Sequence, residues 1–204
     1  RKLDSLAGAT AREGAWIGPT NHVFTSAFAI GPTLDDVRAR PDWDYWPPEQ
    51  RAAYTRAHGN YWAPATAEQR TPARRARYVA ARDRLLKAMH DSGVRILAGS
   101  DTPEWFNAYG FAMPRELQSY VRAGLSPYQA LRTATVNPAT WLGAADEFGT
   151  IEPGKRADLV LLRANPLDDV AHLAEIDAVA IGGRWLDRAA LDAMLARGRN
   201  AIAK

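Results

Sequence analysis

The chain has 204 residues, 47% of them hydrophobic and 24% charged, with a formal charge of +3 and no cysteine. Such a composition suits one large or two small soluble globular domains, offers no apolar run near the ~20 residues that cross a bilayer, and removes disulfides and thiolate metal ligands. The positive excess comes from dispersed arginines and not from a basic block, so it reads as a solvated surface, and nucleic-acid and membrane partners are set aside.

The chain begins Arg-Lys-Leu-Asp, without an initiator Met or an apolar leader. It therefore reads as starting inside a longer chain, and its compartment stays open. Leu3, Leu6, Ala7 and Ala11 recur at helical spacing before Gly14, which predicts a helix over 2–14 with a glycine stop. Residues 15–20, Ala-Trp-Ile-Gly-Pro-Thr, predict a short strand ended by Pro19. His22 follows directly and reads as a surface or turn histidine, with contact to a substrate as the other role open to it.

Residues 31–72 are the least regular, with prolines at 32, 41, 47, 48, 64 and 72. Trp43, Tyr45, Trp46, Tyr54, Tyr61 and Trp62 cluster there, which predicts a long loop or helical insertion packed by its own aromatics as a lid. His58, beside Gly59, is expected to be exposed. The clearest helix is 73–91, where Tyr78, Ala81, Leu85, Leu86 and Met89 form an apolar stripe and arginines take the other side. His90 falls in its last turn, where a cation suits the helix dipole.

Val94 to Ala98 lies between Gly93 and Gly99 and reads as a strand buried on both faces, as in parallel sheets. Asp101 follows in Gly-Ser-Asp-Thr-Pro. It stands either among the loops where α/β folds gather their chemistry, or as a cap for the turn before Pro103. The loop 102–110 would lie over such a site. A helix from Pro114 to Ala123 stops at Gly124, Ser126-Pro127 starts the next, and Asn137-Pro138 reads as a second cap. From Gly149 the period changes to short β runs at 158–162, 178–181 and 184–186, and 188–197 reads as a final helix.

Two segments carry a family resemblance. Arg115-Glu-Leu-Gln-Ser-Tyr-Val-Arg-Ala-Gly-Leu-Ser-Pro-Tyr-Gln-Ala-Leu-Arg-Thr-Ala-Thr-Val-Asn-Pro-Ala139 with Leu142-Gly143, and Gly149-Thr-Ile-Glu-Pro-Gly-Lys-Arg-Ala-Asp-Leu-Val-Leu-Leu162 with Asn165-Pro-Leu167 and Gly182-Gly-Arg184, resemble the metal-dependent amidohydrolase superfamily. The nearest branch is the imidazolonepropionase-like and dipeptidase-like one, over residues 90–187. The resemblance implies an α/β fold, the C-terminal part of a (β/α)8 TIM barrel plus part of a small composite β-sandwich. Residues 1–144 would be barrel strands and helices with the 31–72 insertion, 145–187 the sandwich part, and 188–204 a closing helix.

The same resemblance implies hydrolysis of a carbon–nitrogen bond in a cyclic amide or dipeptide-like small molecule. Asp101 would be the aspartate ending the eighth barrel strand, both general base and metal ligand, and His22, Thr102 and Trp105 would approach the substrate. The implied cofactor is a divalent metal, zinc first, as one or two ions. Where many relatives carry a histidine before Glu-Leu, this chain has Pro114, one polar contact fewer.

A full barrel takes about 250 residues, and only two barrel strands are read here. The histidines, 22, 58, 90 and 172, are never closer than 32 residues, so no His-x-His pair is present and the other metal ligands are expected outside this sequence. The 204-residue piece alone is expected to be inactive. The competing reading is a non-catalytic scaffold or degenerate amidohydrolase fragment. Homo-oligomerisation is open.

Overall fold

The structure is a computed structural model and describes residues 2–25, 33–62, 66, 71–104 and 107–202. Helix α1 (Lys2–Arg12) leads to strand β1 (Trp16–Ile17) and the short helix α2 (Asn21–Val23). Helices α3 (Leu34–Arg38) and α4 (Pro48–Trp62) flank a 3-10 turn at Trp43–Tyr45, and α5 (Pro72–Asp91) runs into strand β2 (Arg95–Ile96). Helices α6 (Ala112–Arg122), α7 (Pro127–Ala134) and α8 (Val136–Trp141) follow. Strands β3 (Leu159–Leu162), β4 (Ile176–Ile181) and β5 (Arg184–Leu186) precede α9 (Arg188–Ile202), which extends beyond the predicted end at 197.

β1 and β2 pair in parallel, Trp16 opposite Arg95 and Ile17 opposite Ile96. β2 is not buried on both faces as its apolar run suggested. Val94 and Ile96 are buried, while Arg95 is exposed, its guanidinium 4.7 Å from the Trp16 ring centre. The β2 edge facing away from β1 is satisfied from the helices, because Ala98 N–H donates to Thr133 O and Asn137 Nδ2 donates to Ile96 O, both at 2.8 Å. Asn137 is thus no cap. It sits inside α8 and closes an otherwise open strand carbonyl.

β3, β4 and β5 form an antiparallel sheet in chain order. Ile181 pairs with Arg184 across Gly182 and Gly183, both at positive φ (55° and 75°), the two-residue turn whose twist matches its strands. Ser126 and Gln129 form a reciprocal capping box at the start of α7, with Pro127 at its first turn.

The main core joins α5, β2, α6, α7 and the 3-10 turn at Val170–Ala174 through Leu86, Ile96, Leu117, Tyr120, Leu125, Ala130 and Val170. A second cluster of Ala7, Met89 and Val94 seats α1 against α5. The α5 stripe is shorter than the periodicity suggested: Leu86 and Met89 are buried, but Tyr78 and Ala81 are exposed. The first half of α5 therefore projects beyond the packed core and presents its arginines to solvent.

The insertion is helical and packs partly on itself. Trp46 is buried and meets Tyr54 edge-on with ring centres 5.2 Å apart, while Tyr45 packs on Phe111 outside the insertion. His58 is half-buried in α4, not exposed, because it lies on an inner side of that helix. Of the expected aromatic cluster, the side chains of Tyr61 and Trp62 lie outside the described residues.

Candidate active site

Because β1 and β2 run parallel, the segments that leave them emerge at the same end. β1 continues through Gly18-Pro19-Thr20 into α2, and β2 through Gly99-Ser100-Asp101-Thr102. The two exits touch, since a Cβ on Gly99 would lie 3.9 Å from Thr20 Cγ2. Each exit holds a non-glycine residue in the left-handed region, Thr20 at φ 43° and Asp101 at φ 51°. For β-branched Thr20 this is an uncommon conformation, and such strain, of order 1–3 kcal/mol per residue, persists only where the surroundings impose it.

Those surroundings are visible around Asp101. The Asp101 carbonyl accepts from Glu104 N–H at 2.9 Å, the Ser100 and Thr102 hydroxyls are 2.6 Å apart, and Asn107 Nδ2 donates to Ser100 O. The Tyr54 hydroxyl, from the insertion, donates to Pro103 O at 2.7 Å. The backbone on both sides of Asp101 is thereby fixed. Its carboxylate is exposed and makes no hydrogen bond or ion pair among the described residues, so it does not cap the turn. Thr102 is half-buried with its hydroxyl engaged by Ser100. Trp105 lies outside the described residues.

His22 is placed by a buried carboxylate 94 positions away. Glu116 on α6 is fully buried and accepts the backbone N–H groups of Asn21 and His22, both at 2.6 Å. Burial pushes the Glu116 carboxyl up, and the bonds from His22, Tyr120 and Asn21 partly offset it. Asn21 Nδ2 adds a bond to Asp83 at 3.1 Å.

The His22 ring is partly enclosed, not a surface group. Burial, then the charges of Arg115, Arg40 and Arg122, lower its pKa to about 4, with Asp42 opposing. Its Nε2 is buried without a hydrogen-bond partner. Asp42, its side chain 2% exposed, is gripped by both terminal nitrogens of Arg115 at 2.8 and 2.5 Å, which ties the insertion to α6.

The structure thus keeps Asp101 and Thr102 together at the end of β2 and puts His22 at the end of the neighbouring strand, with its ring in a separate arginine-lined cleft. The reading of the sequence passed over Glu116, Asp42, Arg115 and Thr20 as site residues. A signal for Glu116 existed, because it shares one helical face with Ala112, Leu117, Ser119 and Tyr120, and a lone carboxylate on a buried face needs a partner. Among the described residues no three histidine, aspartate or glutamate side chains converge to hold a metal ion.

Comparison with known proteins follows the same lines. A 53-residue segment is 47% identical to imidazolonepropionase of Thermoplasma acidophilum, covering 26% of this chain and 13% of that protein. A 69-residue segment is 38% identical to adenine deaminase of Roseobacter denitrificans, covering 32% of this chain and 12% of that protein. The matched segments therefore span about an eighth of the length of these curated relatives. Among solved structures the chain is similar to bottromycin amidohydrolase, with a TM-score of 0.70 and 25% identity over 93% of this chain and 40% of that one. The fold is of the α/β kind that these neighbours share. Residues 45–186 match the model of the amidohydrolase family, and the chain belongs to that family.

Proposed function

We propose that this chain is the C-terminal portion of a metal-dependent amidohydrolase that hydrolyses a carbon–nitrogen bond in a cyclic amide or dipeptide-like substrate, with Asp101 as general base. In this reading residues 1–144 are the last strands and helices of a (β/α)8 barrel, 145–187 part of a β-sandwich, and 188–204 a closing helix. The parallel β1–β2 pair, the antiparallel β3–β5 sheet and the family membership support it.

The observation that carries the catalytic assignment is the state of Asp101. It stands directly after a parallel strand, in a left-handed conformation held by neighbouring bonds, with an exposed carboxylate that no described residue engages. A carboxylate so held is free to accept a proton at one oxygen as water attacks the carbonyl carbon. It then returns that proton to the departing nitrogen, so the pair of transfers leaves Asp101 unchanged. Thr102 and His22, with Trp105, are the residues of this stretch assigned to the substrate's surroundings.

A divalent metal, zinc first, would polarise the carbonyl and stabilise charge in the transition state. Asp101 supplies one carboxylate toward it, and the described residues do not complete a site. The remaining ligands are assigned to other parts of the parent protein.

Asp101→Asn in the full-length protein tests this. The amide keeps size and polarity but removes the basic oxygen, so kcat should fall by about 10²–10⁴ with a much smaller change in KM. A variant within tenfold of the parent's kcat, with the same metal content, would remove Asp101 from the chemistry.

A further inference from the structure

A second cluster of chemistry-bearing groups lies away from Asp101. A cleft of about 680 Å³ is walled by His22 and Thr25, by Arg40 after α3, by the first half of α5 (Pro72, Arg75, Ala76, Val79, Ala80, Asp83) and by Arg122 at the end of α6. Asp101 is not among the lining residues. Three guanidiniums and an imidazole thus face one volume that contains a single carboxylate.

That carboxylate is already committed. Asp83 receives Arg122 Nε and Nη2, both at 3.0 Å, and Asn21 Nδ2 at 3.1 Å. At the margin, Asp36 is engaged in a capping box with Thr33. Arg75 forms no hydrogen bond or ion pair among the described residues. His22 Nε2 is buried without a partner.

The helix that forms one wall deepens the imbalance. Pro72 opens the 20-residue helix α5, and its first turn holds no acidic residue, although the partial positive charge of a helix start favours one. Arginines stand at 74, 75 and 77 instead. Like charges gathered at a helix start and in a cleft repel one another unless an anion joins them, and a cleft lined by one sign of charge concentrates anions. Guanidinium groups match the flat or tetrahedral oxygen arrays of carboxylates and phosphates.

We infer that this cleft is a binding site for a small molecule carrying an oxyanion group, a phosphate or a carboxylate, received by Arg75, Arg40 and Arg122 with the unpartnered His22 Nε2 as a donor. Nothing in this assignment depends on the hydrolytic role of Asp101.

The test is calorimetric titration of the full-length protein with inorganic phosphate, and separately with acetate, at low ionic strength. Saturable one-to-one binding of either anion is expected, and the anion that binds identifies the group preferred. Arg75→Gln changes an exposed side chain and should leave the fold intact by circular dichroism while weakening binding by about fivefold or more. His22→Gln should weaken it as well, whereas Arg163→Gln, on β3, should not. Absence of saturable heat with both anions would overturn the assignment. Binding unchanged by Arg75→Gln, or weakened equally by Arg163→Gln, would overturn it too, since the first denies the site and the second reduces it to net charge.

Discussion

Burial and neighbouring arginines hold His22 neutral down to about pH 4, against 6.5 for the free imidazole. The unfolded chain begins to bind a proton there near pH 6.5, whereas the folded chain resists until about 4. His22 therefore contributes a stability that is complete above pH 6.5 and drains away as pH falls toward 4, up to about 3 kcal/mol. Glu116 acts with the opposite sign, since its raised pKa lets the folded state take up a proton before the unfolded one does. Urea denaturation at pH 7, 5.5 and 4.5 should show the parent losing more stability on acidification than His22→Gln. Equal losses would mean that the ring is not enclosed. The Gly-Ser-Asp run made Asp101 visible in the sequence, because its setting is local. Glu116 and the Asp42–Arg115 pair were not visible, because their partners lie 94–95 and 73 positions away and no short pattern records such a distance.

Helices α1, α6 and α7 follow from their spacing, stops and caps, and the β3–β5 meander from alternating short runs around Gly182-Gly183. The stretch over α4 did not reveal its inner side, because its apolar and polar residues are poorly segregated. At Asn137 the reading failed for a definite reason. An Asn-Pro pair suits the start of a helix, but here the amide is needed by the Ile96 carbonyl of β2. The two roles separate by substitution. Aspartate caps as well as asparagine, but it cannot donate and would set a carboxylate against a carbonyl oxygen. Asn137→Asp should cost about 1–3 kcal/mol in urea denaturation, and Asn137→Ala should fall in the same range. A neutral Asn137→Asp would restore the cap.

The two sheets are small, and both leave apolar surface in the open. Val160 and Trp185 are 56% and 62% exposed, and Ile151 is 86% exposed. Strands β1 and β2 have only each other as strand partners, which leaves β1 with an open edge. Exposed apolar patches and unpaired strand edges both favour association with further copies. Residues 1–204 produced alone should therefore self-associate in sedimentation velocity. A monodisperse monomer with a cooperative melt would contradict this. No helix among the described residues is long and apolar enough to cross a membrane.

The bond from the Tyr54 hydroxyl to Pro103 O has an optical consequence. Tyr54 meets the buried indole of Trp46 edge-on, so that tryptophan sits one residue removed from the segment that carries Asp101. Any displacement of that segment pulls on Tyr54 and changes the environment of the indole. The chain has seven tryptophans, so the difference in emission between the parent and Trp46→Phe isolates the signal. The protein thus carries its own fluorophore for following the Asp101 loop, with no label attached.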